Sequence, residues 1–243
     1  MVRAGVRVGL AASMLLFLLG GCNSPWDSDD DRIETARKFP PADRPVAAVG
    51  ATKWSTEEAR DRVNEAEDIM DSADVRPGMT VADIGAGDGY YTVRLAARVG
   101  AGGRVLAQDI QPEVIERLAD RVARERLDNV SLKLGAVDDP RLPENSFDRV
   151  FMVHMYHEIG EPYAFLWRLR PALRRGGQLI VVDGDRPIAR HGTPFRLLVC
   201  EFDAVGYKLL SYDDKQTAGG YLARFIPAGK RPDPGAIKVC ENP

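Results

Sequence analysis

Residues 81–91 read Val81-Ala82-Asp83-Ile84-Gly85-Ala86-Gly87-Asp88-Gly89-Tyr90-Tyr91. An apolar run that carries a carboxylate is followed by three glycines at alternate positions and then by a segment with helical spacing. This order predicts a parallel strand that turns tightly into a helix, with its backbone open to a ligand at the turn. Glycine suits such a turn because it has no Cβ to block the approach of a ligand.

Strand-like and helix-like segments alternate after this stretch, and they predict a doubly wound α/β sheet of seven mostly parallel strands, with helices on both faces. The predicted strands are residues 80–84, 104–108, 130–134, 148–153 and 178–182, followed by an antiparallel pair at 207–210 and 221–225. The predicted helices include residues 91–99, 162–173 and 194–205, with a turn at 176–177. A capping box formed by Ser55 and Glu58 predicts one amphipathic helix that continues to Met70.

The composition is that of a soluble globular protein with one ordinary domain and additional segments. The chain has 243 residues, of which 44% are hydrophobic and 28% are charged, and its formal net charge is −3. No broad basic surface is indicated, so nucleic acid is not an expected partner.

The N-terminus resembles a bacterial lipoprotein signal. Arg3 and Arg7 precede an apolar run at residues 8–19, which is too short for a comfortable membrane span, and Leu19-Gly20-Gly21-Cys22 follows. This pattern implies export, cleavage before Cys22 and a lipid anchor on that residue, on the periplasmic side of a bacterial membrane. The alternative is an ordinary signal peptide or a simple anchor helix, each of which would also export or tether the chain. If the signal is not used, the chain is cytoplasmic.

Four regions are expected on this basis. They are a signal peptide at residues 1–21, a flexible tether at 22–50, a domain at 51–228 with its N-terminal helix, and a C-terminal tail at 229–243. In an oxidising compartment, Cys200 and Cys240 are a possible disulfide that ties the tail to a helix. The alternative is one buried thiol and one exposed thiol.

The glycine turn does not fit the common phosphate-binding patterns. A dinucleotide fingerprint needs glycine where Tyr90 stands, and the phosphate loop G-x-x-x-x-G-K-[ST] is absent from this turn. A ligand with a pyrophosphate is therefore less favoured than a nucleoside that carries a charged group other than phosphate.

Residues 81–89 resemble the first motif of the class I S-adenosylmethionine-dependent methyltransferases. Further landmarks follow in the order of that family: Asp109 at the end of the second strand, residues 135–148 after the third, and residues 173–179 before the fifth. The resemblance covers roughly residues 75–225. It implies a Rossmann-like fold of three α/β/α layers, with S-adenosylmethionine as the cofactor.

The resemblance also assigns parts of the cofactor to parts of the chain. The glycine turn would bind the amino-acid portion, Asp109 the ribose hydroxyls and the loop after the third strand the adenine. Ala136 stands where the family often has an acidic or amide residue, so adenine recognition would fall to backbone groups, Val137 or Asp138. The alternative is that the two aspartates only cap a loop and a helix. The expected cofactor-binding residues are Asp83, Gly85, Ala86, Gly87, Gly89, Asp109, Ile110, Ala136 and Val137.

The residues after the fourth strand lie where an acceptor should arrive. His154 and His157 are the candidate catalytic bases, because the pKa of histidine lies near neutrality. Tyr156 and Asp183 are candidate substrate contacts. The alternative for His157 is that it supports the loop together with Glu158. A metal site formed by His154, His157 and Glu158 is the less favoured alternative, because supporting spacing elsewhere in the sequence is absent, and no metal site is predicted.

These observations predict a methyltransferase that acts on an unidentified small-molecule or lipid acceptor. The alternative is an exported ligand-binding lipoprotein that keeps the fold without methyl transfer. The expected location is the reason for this alternative. S-adenosylmethionine is made in the cytosol, whereas the lipoprotein signal would place the chain outside the cytosol.

Overall fold

The computed structural model describes residue 1, residues 32–50 and residues 56–242. The described residues from Ile33 onward form one compact unit. None of the helices within these ranges is long and apolar enough to cross a membrane. Apart from residue 1, the expected signal peptide at 1–21 lies outside the described residues, and so does Cys22, the expected site of lipidation.

Six α-helices and seven β-strands build the described part of this unit. The helices are α1 (Glu57–Arg62), α2 (Glu65–Ser72), α3 (Tyr90–Val99), α4 (Pro112–Glu125), α5 (Pro162–Leu169) and α6 (Phe195–Ala204). The strands are β1 (Thr80–Ile84), β2 (Arg104–Asp109), β3 (Val130–Leu134), β4 (Phe147–Val153), β5 (Leu173–Asp183), β6 (Tyr207–Lys215) and β7 (Gly220–Pro227).

The strands form one sheet in the order β3-β2-β1-β4-β5-β7-β6. The first five are parallel to one another, whereas β7 is antiparallel to both β5 and β6. The predicted doubly wound, seven-stranded and mostly parallel sheet is confirmed. The strand order reverses beside β1, which pairs with β2 and β4, and the carboxyl ends of strands at such a switch point bind ligands.

Buried side chains alternate between the two faces of the sheet. Ala82 and Val150 pack into a core beneath α5 and α6, whereas Val81 and Phe151 pack into a second core with α2 and α3. This arrangement explains why β4 reads as a nearly continuous apolar run, because a strand covered on both faces buries successive residues.

The N-terminal helix differs from the prediction. The cap of α1 is Thr56, whose hydroxyl accepts a hydrogen bond from the backbone of Ala59 at 3.2 Å, and Ser55 lies outside the described residues. The predicted single helix is broken at Asn64, which has a φ of 52°. Asparagine is one of the few residues that adopt this left-handed backbone readily, which allows α2 to start in a new direction.

The segment after α5 also differs from the prediction. The helix ends at Leu169, a short 3-10 helix covers Arg170–Ala172, and β5 already begins at Leu173. Gly176 and Gly177 therefore lie within β5 instead of forming a separate turn before it. Gly176 has a φ of 80°, and the pairing of β4 with β5 shifts between Phe147 and Arg149. The two glycines accommodate an irregularity in the strand.

Residues 33–50 do not behave as the expected flexible tether. Ala36 and Phe39 are buried in the core on the side of α5, and the Arg44 side chain is fully enclosed against Glu201 of α6. The proline-rich composition indicated irregular backbone correctly. It gave no sign that irregular backbone can still pack, so the domain starts earlier than residue 51.

The C-terminal tail is tied to the same region. The sulfur atoms of Cys200 and Cys240 lie 2.05 Å apart in a disulfide, with 6.0 Å between the Cα atoms. The Cys240 backbone also donates a hydrogen bond to the Tyr163 hydroxyl at 2.8 Å, and Asp43 forms a parallel β-bridge with Glu241. The tail and residues 33–50 therefore lie side by side.

Gly89→Ala is expected to lower the free energy of unfolding by about 2 kcal/mol, from backbone strain plus overpacking. Gly89 starts α3 with a φ of 89°, and a Cβ there would lie 2.5 Å from Cδ1 of the buried Leu118 in α4. Urea unfolding followed by circular dichroism measures the loss. Gly78→Ala is the control, because Gly78 has a φ of 86°, close to that of Gly89, but no atom within 4 Å of its added Cβ. In the control, the free energy of unfolding should fall only by the cost of backbone strain, about 1 kcal/mol. Equal losses would show that Leu118 does not require glycine at position 89.

Candidate active site

Two cavities share the glycine turn as a common wall. One has a volume of about 610 Å³ and the other about 590 Å³. The residues that line both are Gly85, Gly87, Asp88, Val153 and His154. We call the first the Asp109 cavity; it is also lined by Gln108, Asp109, Ile110, Gln111, Val137, Met155 and Glu158. We call the second the Asp83 cavity; it is also lined by Thr56, Arg60, Asp83, Ala86, Tyr90 and Tyr91.

The sheet register explains why these residues meet. Ile84, the last residue of β1, pairs with Gln108 of β2 and with Met152 of β4. Asp109 and His154 follow those two partners closely along the chain, so both reach the edge where the glycine turn begins. The position of the turn therefore follows from parallel pairing alone.

Asp109 is an acidic residue of the Asp109 cavity, and only 7% of its surface is exposed. One carboxylate oxygen accepts a hydrogen bond from the Gly87 backbone at 3.1 Å, and the other accepts from the Gln111 backbone at 3.0 Å. A carboxylate has about four acceptor positions, so both oxygens can still accept hydrogen bonds from a ligand. Asp109 is thus fixed in orientation and remains able to bind hydroxyl groups.

Apolar side chains form the rim of the Asp109 cavity. Ile110 and Val137 both line it, and Val137 is 48% exposed. Asp138 is turned away from the cavity, because it is buried against Arg168 and accepts a hydrogen bond from the Thr35 hydroxyl at 2.6 Å. Of the two side chains considered for adenine recognition, Val137 alone is therefore placed at this cavity.

Three cofactor-binding candidates on the loops have different positions. Ala86 lines the Asp83 cavity. Ala136 lines neither cavity and forms a β-bridge with Asp139. Gly89 also lines neither cavity, and its place is explained by the start of α3 beside Leu118.

Close packing requires glycine at position 85. Gly85 has a φ of 67°, and a Cβ there would lie 3.1 Å from Cγ of Met155. The next residue, Ala86, donates its backbone N–H to the Gln108 carbonyl at 2.9 Å, which ties the turn to β2. The turn is therefore held in place on both sides while its own backbone faces the two cavities.

Asp83 places a buried carboxyl group at the second cavity. Burial raises its pKa to about 6, and the Thr92 hydroxyl donates a hydrogen bond to it at 2.6 Å. Desolvation disfavours the charged form, so a bound cation nearby would restore it. The Asp83 cavity thus suits a ligand group with a positive charge.

Aromatic side chains from α3 enclose the Asp83 cavity. The Arg60 guanidinium lies 3.7 Å from the centre of the Tyr90 ring and is paired with Glu65 at 2.6 Å. The hydroxyls of Tyr90 and Tyr91 donate hydrogen bonds to Asp61 and Glu65 respectively, each at 3.0 Å. Both rings are therefore held as walls of the cavity, with their hydroxyls turned to protein partners.

His154 lies at the junction of the two cavities. Its φ is 54°, both ring nitrogens are buried, and burial lowers its pKa to about 3. The imidazole is therefore neutral at physiological pH. A general base works best when its pKa lies near the working pH. The low pKa of the buried His154 therefore favours a role as a neutral wall of the cavities, and not the expected role as catalytic base.

His157 is not exposed to either cavity. Its Nδ1 lies 3.0 and 3.1 Å from the two oxygens of Asp183, which also accept from the Gly184 backbone and the Thr193 hydroxyl at 2.8 Å each. This arrangement agrees with the alternative in which His157 supports the loop. Asp183 is fully buried, so it is not placed as the substrate contact that was expected from its position at the end of the fifth strand.

Tyr156 lines neither cavity, so the prediction that it contacts the substrate is corrected. A short 3-10 helix at Tyr156–Glu158 turns its side chain into the core, where its hydroxyl donates to Glu201 at 2.6 Å. Glu158 instead lines the Asp109 cavity and accepts a hydrogen bond from the Gly50 backbone at 3.0 Å. Burial raises the pKa of Glu158. The sequence after β4 does not reveal these orientations. In an extended segment every second side chain faces outward, whereas the 3-10 helix at Tyr156–Glu158 changes which residues do so.

Several cavity residues were missed by reasoning from the sequence. Val46, Val49 and Gly50 line the Asp109 cavity, although they were assigned to the tether. Arg60 lines the Asp83 cavity from α1. The amphipathic pattern of that helix was the available signal, because it indicated that one face packs on the domain.

Comparison with known proteins identifies relatives for the central part of the chain. Residues 81–177 match the family model described as "Methyltransferase domain". Nocamycin O-methyltransferase of Saccharothrix syringae is 39% identical over 82 residues, which are 34% of this chain and 29% of that protein. Ubiquinone/menaquinone biosynthesis C-methyltransferase of Bordetella avium is 34% identical over 163 residues, which are 63% of this chain and 59% of that protein. The chain therefore spans less than two thirds of each of these curated relatives.

A solved structure supports the fold over a larger share of the chain. The SAM-dependent methyltransferase of Aquifex aeolicus superposes with a TM-score of 0.60 and 22% sequence identity, covering 70% of this chain and 97% of that one. At this identity the likeness concerns the architecture. It agrees with the strand order and with the antiparallel β7.

Proposed function

We propose that the protein is a class I S-adenosylmethionine-dependent methyltransferase that transfers the methyl group of that cofactor to a small-molecule acceptor, and the match of residues 81–177 to the methyltransferase-domain model supports this. The observation that carries the proposal is the glycine turn between two cavities, with Asp109 in one and Asp83 in the other. The cofactor of this family has a nucleoside end and a cationic amino-acid end, which match the two cavities in chemistry.

The described residues fit this cofactor. Asp109 can accept hydrogen bonds from the two ribose hydroxyls, while Ile110 and Val137 provide apolar surface for the adenine. Gly85 leaves no Cβ between the turn and the ligand, and Asp83 complements the ammonium and sulfonium charges. When bound, the cofactor supplies an electrophilic methyl group.

The chain's own residues position and enclose the reactants. Methyl transfer is an in-line displacement, which is accelerated chiefly by holding the nucleophile close to the methyl carbon and in line with the leaving sulfur. Burial raises the pKa of Tyr90 to about 12 and also raises that of Tyr91, so both tyrosines remain protonated. A neutral His154 lies beside them at the junction of the two cavities.

Binding of S-adenosylmethionine is expected to weaken by about tenfold between pH 7 and pH 5. The pKa of Asp83 is raised to about 6 by burial, so the carboxylate that attracts the cationic ligand is lost as the pH falls through that value. Dissociation constants measured by calorimetry across this range test the expectation. Asp83→Asn is the control, and its affinity should change little with pH. The same pH dependence in the variant would assign the effect to another group.

The acceptor is proposed to be a small organic molecule. The relatives named for nocamycin and for ubiquinone/menaquinone biosynthesis support this choice. The test is to incubate the full-length chain with S-adenosylmethionine and a panel of phenols and quinols, and to measure S-adenosylhomocysteine. Acceptor-dependent product supports the proposal. Cofactor binding without turnover on any acceptor would favour the ligand-binding alternative.

We also propose that the chain is exported and anchored by a lipid on Cys22. The order of charge, apolar run and Leu19-Gly20-Gly21-Cys22 supports this, and so does the Cys200–Cys240 disulfide, since disulfides persist in oxidising compartments. Cys22→Ser should move the protein from the membrane fraction to the soluble fraction of cells that express it. An unchanged distribution would contradict the lipid anchor.

A further inference from the structure

We propose that His157, Glu158 and His191 form a binding site for Zn²⁺ beside the Asp109 cavity. One ligand atom from each of these residues lies within 4.8 Å of the other two. Two imidazoles and one carboxylate are a donor set that zinc uses in proteins, with a fourth position left for water or another ligand. This proposal concerns metal binding and does not depend on methyl transfer.

The protonation of His157 suits a metal ligand. An ionised carboxylate only accepts hydrogen bonds, so the contact of Nδ1 with both oxygens of Asp183 places the proton on Nδ1. The lone pair of Nε2 is then available to a cation. A carboxylate behind a histidine in this way is a common feature of zinc sites, because it fixes the ring and makes it a stronger donor.

The loop after β5 brings His191 to the cluster. The His191 ring centre lies 5.6 Å from that of His157, and its Nδ1 is buried with no hydrogen-bond partner among the described residues. Arg186 holds the loop closed by donating from Nη2 to the His191 carbonyl at 2.8 Å. The unpaired nitrogen is therefore held in place next to the other two ligands.

Glu158 completes the set and connects it to the cavity. One of its oxygens accepts a hydrogen bond from the Gly50 backbone, and the side chain lines the Asp109 cavity. The other oxygen can bind a cation. Glu158 and Asp183 together bring two negative charges, which balance the double charge of zinc. This set differs from the alternative that the sequence suggests by having His191 in the place of His154.

The test titrates the metal-free, full-length chain with Zn²⁺ alone, in the absence of any cofactor, and measures affinity and stoichiometry by calorimetry. The wild type should bind one equivalent. His191→Asn should weaken binding by at least about tenfold, and Asp183→Asn by a comparable factor through the orientation of His157. His154→Asn is the matched control. Both histidines have a φ of 54°, which asparagine tolerates, and the control should keep wild-type zinc affinity.

Three results would overturn the proposal: no saturable binding to the wild type, wild-type affinity in His191→Asn, or an equal loss in His154→Asn. Circular dichroism of each variant checks folding. If His191→Asn does not fold, Glu158→Gln provides the same test, because it removes the only ligand that lines the cavity. Wild-type zinc affinity in that variant would also contradict the site. Failure of cofactor binding would leave these outcomes unchanged.

Discussion

Asp109→Asn is expected to weaken S-adenosylmethionine binding by about 10- to 100-fold, because each lost hydrogen bond to a charged acceptor is worth about 1.5–3 kcal/mol. Asp109 is nearly buried, and two backbone N–H groups fix its orientation. An amide retains the shape but has one acceptor oxygen and no charge. Calorimetric titration of variant and wild type measures the effect.

Two controls separate ribose recognition from other causes. Asp120→Asn removes the same charge from an exposed position on α4 and should leave the affinity unchanged. An analogue of S-adenosylhomocysteine without the two ribose hydroxyls should bind Asp109→Asn and the wild type almost equally. If the variant also loses affinity for that analogue by the full factor, Asp109 acts by shaping the loop and does not bind the ribose.

Arg44→Met is expected to destabilise the domain by about 3–5 kcal/mol, since removing one partner strands a buried charge on the other. The side chains of Arg44 and Glu201 are 0% and 1% exposed, and Nε lies 2.8 Å from the carboxylate. Arg44 also donates to the Ile159 carbonyl at 3.0 Å, while Tyr156 donates to Glu201 at 2.6 Å. Urea unfolding followed by circular dichroism gives the change in free energy.

The double variant Arg44→Met with Glu201→Gln should recover part of this loss, because the stranded charge is removed while Tyr156 keeps an acceptor. Arg76→Met is the control for a solvent-exposed pair, since Arg76 contacts Asp74 with both side chains largely exposed. Its unfolding midpoint should not change measurably. A loss in Arg44→Met as small as in this control would show that residues 33–50 do not stabilise the domain.

The fold was predictable because its signals are local and repeat along the chain. Alternating strand and helix patterns gave the seven strands, and the near-continuous apolar run at residues 148–153 indicated a strand covered on both faces. The glycines of the turn and the position of Asp109 at the end of β2 indicated where a ligand would bind. Each of these features depends on neighbouring residues and on parallel pairing.

The parts that were missed depend on contacts between distant segments or on a local change of backbone. No pattern near Arg44 in the sequence indicates its ion pair with Glu201. The composition of residues 33–50 therefore predicts a tether, although these residues pack against the domain. Tyr156 was placed at the site because the 3-10 helix after β4 was not anticipated. His191 joins His157 only through the loop held by Arg186, which no spacing pattern reveals.

Binding of S-adenosylmethionine by the glycine turn, Asp83 and Asp109 can be measured without knowledge of the acceptor. The measurement is equilibrium dialysis of the full-length chain against the radiolabelled cofactor at pH 7. We predict saturable binding of one equivalent that S-adenosylhomocysteine displaces and that Asp109→Asn weakens. No bound label at cofactor concentrations well above those found in cells would contradict the account.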